Sequence, residues 1–168
     1  MRGIGALLLM GAFLLSGVLS VRSRCARIRC LHELGEAFVW MAGELAGKKL
    51  PIPELIRSCS LMANGYARSF YLQLEQSLSQ LGSRSFFELW KEAVAQLPWL
   101  TEGERRELDI PGRELGRAEL SRQLAALETA VRFLRTSYEH EESRFQNDRK
   151  LCLGLPAAAG VLLLIQLL

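Results

Sequence analysis

The chain has 168 residues, of which 49% are hydrophobic and 23% are charged, and its net charge is +3. This composition excludes intrinsic disorder, a collagen-like repeat and a small disulfide-rich scaffold. Residues 30–143 hold 13 Lys and Arg against 17 Asp and Glu, a net charge of −4. Because the middle of the chain lacks a basic excess, we expect no nucleic-acid partner.

Two uncharged apolar stretches stand near the ends of the sequence. Residues 4–21 contain 13 apolar residues of 18, and residues 151–168 contain 14 of 18. A helix of roughly 17–25 residues crosses the bilayer core, so the sequence predicts a transmembrane helix in each stretch. The first stretch could instead be a cleaved secretory leader, but it has no clean small-x-small cleavage site and arginines follow it at once.

Basic residues border both apolar stretches on the side of the central region. They are Arg22, Arg24, Arg27, Arg29, Arg149 and Lys150. Lys and Arg next to a span are retained in the cytoplasm. This pattern predicts that residues 22–150 form a cytoplasmic domain, and it also suits contact with anionic lipid headgroups.

The central region shows helical spacing of apolar residues throughout. The first span is expected to continue as one helix to about residue 45, with Gly47 ending it. The apolar stripe of this helix is Ile28, Leu31, Leu34, Phe38, Met41 and Leu45. Prolines at 51 and 53 mark the turn that follows.

Two shorter helices are predicted next, over residues 53–62 and 67–81, separated by the break at Asn64-Gly65 and closed by Gly82. The residues expected to face inward are Leu55, Ile56, Cys59 and Met62 in the first, and Phe70, Leu74, Leu78 and Leu81 in the second.

Two capping boxes begin the fourth and fifth helices, Ser85 with Glu88 and Thr101 with Glu104. In the fourth helix Phe87, Trp90, Val94 and Leu97 are expected to face inward, and Pro98 stops it. In the fifth, Pro111 is expected to kink or break the helix, and Pro111-Gly112 reads as an inserted turn.

The last helix has the clearest periodicity, with Leu120, Leu124, Leu127, Val131, Leu134 and Tyr138 on one side. It continues into the second apolar stretch. The predicted fold is therefore all-α: a membrane-anchored antiparallel bundle of about six helices, whose first and last helices are continuous with the spans. The predicted domains are the spans 4–21 and 151–168 and the bundle 22–150.

A catalytic or metal site is not expected from these residues. Cys25, Cys30 and His32 lie close in sequence, but a zinc site needs about four ligands and the fourth is missing. The run 139–142, Glu-His-Glu-Glu, is interpreted as a solvated helix face. The sequence has no nucleophile-elbow, phosphate-loop or dinucleotide motif. We therefore expect no enzyme activity and no cofactor, and a role in binding or scaffolding.

Three segments resemble one known family. They are Leu115-Gly-Arg-Ala-Glu-Leu-Ser-Arg-Gln123, then Gln146-Asn-Asp-Arg-Lys-Leu-Cys-Leu-Gly154 before the apolar tail, and the opening apolar run followed by arginines. This pattern resembles the stage III sporulation protein AB family, in which an Asp is typical at the position of Glu119.

The resemblance implies a helical domain similar to the cytoplasmic domain of the type II secretion F component. It implies a scaffold in the mother-cell membrane that links the channel between mother cell and forespore to its secretion-type ATPase. Other stage III channel proteins and membrane lipid are the further partners, and homo-oligomerisation stays open. The alternative is a platform subunit of a general type II secretion or pilus-like system.

Within this signature, Leu115, Gly116, Glu119 and Gln123 are the candidate functional residues. Gly116 is expected to allow a tight turn between the last two helices. Glu119 is expected in the first turn of the last helix, where a carboxylate suits the helix dipole, with Gln123 one turn further on. Either these residues shape the helix junction, or they form a polar patch that faces a partner.

Overall fold

The computed structural model describes the backbone of residues 2–167 and the side chains of residues 21–147. Over this range the chain forms helices and turns, with no strand. The helices are α1 (Arg2–Lys48), α2 (Ile52–Met62), α3 (Gly65–Ser77), α4 (Phe86–Ala95), α5 (Glu102–Glu114) and α6 (Leu120–Leu167), and a short 3-10 helix at Leu78–Gln80 follows α3. The predicted all-α fold of six helices is confirmed.

The chain divides into two compact units. One consists of Met1–Ile28 with Glu139–Leu168, and the other is Arg29–Tyr138. The predicted spans, residues 4–21 and 151–168, lie outside the residues whose side chains are described, except for Val21. Within the part that is described, no helix combines the length and the apolar character needed to cross a membrane.

The core of the second unit is built around aromatic side chains. Phe38, Phe70, Tyr71 and Trp90 are fully buried. The Trp90 ring lies 5.8 Å from that of Phe38 and 5.0 Å, edge to face, from that of Phe70. Edge-to-face pairs of this kind add to the stability gained from burial alone. Since these residues come from α1, α3 and α4, three helices are joined at one point.

The predicted inward stripes of α1 and α6 are confirmed in this unit. Leu31 through Leu45 of the α1 stripe are buried, as are Leu127 and Leu134 of α6, and the other α6 stripe residues pack against the same core. His32 contacts Tyr138, whereas Gly35, further along α1, approaches Leu134, further back along α6. The two helices therefore run antiparallel here, as expected.

Both predicted capping boxes are present. At α4 the Ser85 oxygen accepts from the Glu88 N–H at 3.3 Å, and the Glu88 carboxylate accepts from the Ser85 N–H at 3.0 Å. At α5 the corresponding distances between Thr101 and Glu104 are 3.3 and 2.7 Å. Each box satisfies two donors that a helix start leaves without partners.

The prediction that Gly47 ends α1 is wrong. The Lys49 N–H still donates to the Leu45 carbonyl at 3.1 Å, and the helix ends at Lys48. Lys49 itself takes a left-handed conformation, with φ of 50°. A glycine is tolerated inside a helix, and here the left-handed conformation of Lys49 ends α1.

The sequence predicts that Pro111 kinks or breaks the fifth helix, and a break is wrong, because α5 continues to Glu114. Pro111 and Gly112 are buried there, and the Trp90 indole N–H donates to the Leu108 carbonyl at 2.8 Å. A proline inside a helix removes one backbone hydrogen bond. Pro111-Gly112 is therefore a helical segment, with Gly112 packed against the Trp90 indole, and not an inserted turn.

Three of the apolar residues predicted to face inward do not. Met62 is 56% exposed and Leu81 is 38% exposed, and Phe87 is half-buried beneath the Arg113 guanidinium. Met62 is the last residue of α2, and the chain turns away directly after it. Leu81 follows the 3-10 helix, whose three residues per turn shift the stripe. In α4, Phe86 and Leu89 pack against the core in place of Phe87.

Side chains from distant helices also fix two helix ends. The Glu33 carboxylate of α1 accepts from the Tyr66 N–H at 2.7 Å, at the start of α3, where the Asn64 side chain makes no capping bond. Arg105 of α5 donates to the Leu97 carbonyl at 2.9 Å and the Leu100 carbonyl at 3.3 Å, just after α4. Charged donors and acceptors at helix ends make strong bonds of this type.

The close approach of α5 to Trp90 gives a stability prediction. A Cβ atom on Gly112 would collide with the Trp90 indole, whereas one on Gly43, inside α1, would meet nothing within 4 Å. We expect Gly112→Ala to lower the free energy of unfolding by about 1–3 kcal/mol through overpacking. Gly43→Ala, the matched control, should raise it by about 0.5–1 kcal/mol. Urea denaturation measures both, and equal effects of the two changes would contradict the packing.

The buried thiol of Cys59 gives a pH prediction. Burial, with a smaller effect of the Glu44 charge, raises the pKa of Cys59 from its ordinary 9.0 to about 12. The folded chain therefore keeps a proton that the unfolded chain releases, so stability falls as pH rises above 9. We expect a loss of about 1 kcal/mol between pH 9 and pH 10.

Cys59→Ala is the control for this loss, because it removes the thiol and should flatten the dependence whatever its effect on stability at neutral pH. Burial also raises the pKa of Tyr71 well above 10.0, so this tyrosine adds a smaller loss of stability as the pH approaches 10, and that part should remain in Cys59→Ala. If the loss between pH 9 and pH 10 is the same in Cys59→Ala, Cys59 is not its source.

Candidate functional site

The candidate signature forms the junction between α5 and α6. Leu115, directly after α5, is buried, and its N–H donates to the Pro111 carbonyl at 2.9 Å. Gly116 follows with φ of +75°, a left-handed conformation that other residues adopt at a cost. A Cβ atom at this position would lie 3.0 Å from the Ile52 side chain. Gly116 thus makes the tight turn that was predicted, and the turn also packs closely against Ile52 at the start of α2.

The Gln123 side chain closes the turn from the side of α6. Its Oε1 accepts from the Gly116 N–H at 3.2 Å, and its Nε2 donates to the Ala118 carbonyl at 2.6 Å. A single amide therefore satisfies one backbone donor and one backbone acceptor of the turn. These are groups that a short connection otherwise leaves to water.

Glu119 lies just before α6 and not inside its first turn as predicted, because α6 begins at Leu120. Its carbonyl accepts from the N–H groups of Arg122 and Gln123, each at 3.0 Å, and its side chain is exposed. The position is that of a helix cap, where a carboxylate still favours the positive end of the helix dipole.

An ion pair crosses the same junction. Arg122 of α6 lies 3.1 Å from the Glu114 carboxylate at the end of α5, and a second contact of 3.3 Å involves the other oxygen. Arg122 is largely exposed, so the pair contributes at most about 1 kcal/mol. The junction thus presents Glu119 and Arg122 on an ordered turn. Whether they contact a partner stays a prediction.

The basic residues near the apolar stretches form the second candidate site. Arg22, Arg24 and Arg29 are exposed, and Arg27 is half-buried, with its Nε 3.2 Å from a Glu141 oxygen. The sequence predicts a solvated helix face for residues 139–142, and this is correct for Glu139 and His140, which are exposed. Glu141 is half-buried instead, because it pairs with Arg27 of α1. Arg149 and Lys150 lie outside the residues whose side chains are described.

Cys25, Cys30 and His32 all lie on α1 and differ in their surroundings. Cys30 is buried and Cys25 is exposed, and the His32 ring lies 5.2 Å from that of Tyr138. Among residues 21–147, no group of three or more His, Cys, Asp and Glu side chains is placed to hold a metal ion.

Comparison with known proteins gives one family. The family described as stage III sporulation protein AB matches residues 2–168, which is nearly the full sequence. Searches of curated proteins and of solved structures found no match. Because the match covers both apolar stretches, the long first and last helices and the α5–α6 junction, the chain belongs to the stage III sporulation protein AB family, and its role lies in stage III of sporulation.

Proposed function

We propose that the chain is a non-enzymatic membrane scaffold of the secretion-like channel between mother cell and forespore, and that it links this channel to a cytoplasmic ATPase. The family match over residues 2–168 carries the proposal. This family is one of sporulation components and is not a known family of enzymes. The scaffold role and the link to an ATPase are proposals that go beyond membership of this family.

The proposed topology places residues 22–150 in the cytoplasm of the mother cell, with 4–21 and 151–168 as spans. Two features support it. α1 and α6 are each continuous over more than 45 residues, so that each joins an apolar stretch to the helical domain without a break. Arginine and lysine border both stretches on the domain side, and such residues stay on the cytoplasmic face of a membrane.

The α5–α6 junction is the proposed contact surface for a protein partner, the ATPase or another stage III channel protein. Leu115, Gly116 and Gln123 hold the turn in one conformation through the contacts described above. The Glu119 side chain is exposed to solvent at a position that this turn fixes. An ordered loop with an exposed charge loses little conformational entropy when it binds, which favours recognition at this point.

The proposed topology is tested by thiol labelling in intact cells. Cys25 is exposed, whereas Cys30 and Cys59 are buried and report poorly on sidedness. In a Cys152→Ala chain, we expect Cys25 to react with an impermeant maleimide only after the membrane is permeabilised. A Gly3→Cys chain that also carries Cys25→Ser should react in intact cells, because residue 3 is then on the outer side.

The control for background labelling is Cys25→Ser in the Cys152→Ala chain, which leaves only the buried thiols of the described region. Rapid labelling of Cys25 in intact cells, with Gly3→Cys labelled only after permeabilisation, would reverse the topology. The proposed cytoplasmic placement of residues 22–150 would then be wrong.

The proposed partner contact is tested in the endospore-forming source organism. An in-frame deletion should stop sporulation at stage III, and the wild-type chain should restore heat-resistant spores. We expect Glu119→Lys to reduce the ATPase that copurifies with the tagged chain, because it reverses the exposed charge of the junction. Glu128→Lys is the matched control, since Glu128 is an exposed glutamate on α6.

Thermal melting of both variants separates a lost contact from a lost fold, because removing a carboxylate at a helix start costs only about 0.3–1 kcal/mol. Normal sporulation by the deletion strain would exclude the scaffold role. Unchanged copurification with Glu119→Lys would exclude the junction as the contact surface.

A further inference from the structure

A cleft of about 470 Å³ lies in the unit formed by residues 1–28 and 139–168, and four charged side chains line it. Arg24 and Arg27 come from α1, and Glu141 and Arg144 come from α6. The cleft is open to solvent and large enough to admit a phosphate group with part of its ester. Its lining residues come from two helices, so the sequence pattern of either one does not reveal it.

The charge of the cleft favours an anion. Among the residues whose side chains are described, three guanidinium groups and one carboxylate line it, an excess of two positive charges. Arg27 and Glu141 lie 3.2 Å apart, and their side chains are only 19% and 28% exposed. The ion pair therefore orders Arg27 at the wall of the cleft. Arginine stays charged at any physiological pH, and its planar fork matches phosphate oxygens in pairs.

The position of the cleft indicates where a phosphate would come from. Arg24 and Arg27 follow residue 21 by three and six residues, and Arg144 precedes residue 151 by seven, on helices that are continuous through these points. At about 1.5 Å per residue these residues lie roughly 5–10 Å beyond the apolar stretches. The headgroup layer of a bilayer is about 5–8 Å thick on each side, and long arginine side chains reach towards it.

We propose that Arg24, Arg27 and Arg144 bind the phosphate of an anionic phospholipid, with Glu141 setting the orientation of Arg27. The lipid source rests on the proposed membrane topology, whereas the recognition of phosphate rests on the cleft alone. The site would hold α1 and α6 at one lipid headgroup, near the points where each helix leaves its apolar stretch. The two helices would then leave the bilayer from a fixed point.

The test uses the full chain, purified in a neutral detergent and examined by native mass spectrometry. Phosphatidylglycerol is added as the anionic lipid and phosphatidylcholine as the zwitterionic one. We expect retention of phosphatidylglycerol in preference to phosphatidylcholine. The double variant Arg27→Gln with Arg144→Gln should weaken this retention by at least about tenfold, since it removes two charge-assisted contacts.

The matched control is Arg68→Gln with Arg106→Gln, which removes the same charge from exposed positions of α3 and α5. It should bind phosphatidylglycerol like the wild type. Glu141→Gln should bind it more tightly, because the amide oxygen can still accept from Arg27 and keep its orientation, while the negative charge that opposes the phosphate is removed. A residue that merely supported the fold would not produce a gain.

Inorganic phosphate separates the two sources of the ligand. If it displaces phosphatidylglycerol from the wild type and has no effect on the double variant, the cleft recognises the phosphate group itself. Binding of inorganic phosphate without preference for the anionic lipid would overturn the lipid assignment. Equal retention of both lipids, or retention unchanged in the double variant, would overturn the site.

These outcomes are distinct from a failure of the proposed function. Labelling of Cys25 in intact cells would reverse the topology, yet the purified chain would still show whether Arg27 and Arg144 bind phosphate. A normal sporulation phenotype of the deletion strain would likewise leave the lipid measurement interpretable.

Discussion

The Trp90 side chain is the contact that the helical domain depends on. It lies against Phe38 of α1 and Phe70 of α3, and its indole N–H donates to the Leu108 carbonyl of α5. Burial of a large aromatic side chain supplies packing energy, and a satisfied N–H removes the cost of burying it. Gly112 allows α5 to come close enough for this bond to form. Trp90, one residue of the ten-residue helix α4, thus contacts three other helices.

Polar side chains also stabilise the domain, by forming hydrogen bonds with backbone groups at helix ends. Glu33 accepts a hydrogen bond from a backbone N–H at the start of α3. Arg105 donates to a backbone carbonyl just after α4, and Gln123 donates to a carbonyl of the turn before α6. In each case a side chain reaches a backbone group that its own helix cannot satisfy. Such bonds fix the angles at which short helices follow one another, so the α5–α6 junction is held by its surroundings as well as by Gly116.

This arrangement suits the proposed role as a scaffold. A partner that binds the exposed part of the junction meets a surface that is already ordered, and its position is set by the core around Trp90. The arginine cleft belongs to the other unit, and the charges that line it favour a phosphate. The proposed contacts with protein and with lipid thus depend on different residues, so that variants such as Glu119→Lys and Arg144→Gln address them separately.

Much of the fold could be predicted from the sequence because it rests on local chemistry. Helical periodicity, the two capping boxes and the turn at Gly116 involve residues within a few positions of one another, and all are present. The place of the signature between α5 and α6 was predictable for the same reason. Met62 and Leu81 face solvent because a helix ends beside each of them. Tertiary structure decided that Pro111-Gly112 stays helical against Trp90, and that Glu141 and Arg144 meet the arginines of α1. Each of these depends on a residue far away in the chain, whose approach is set by packing between helices and leaves no periodic trace in either segment.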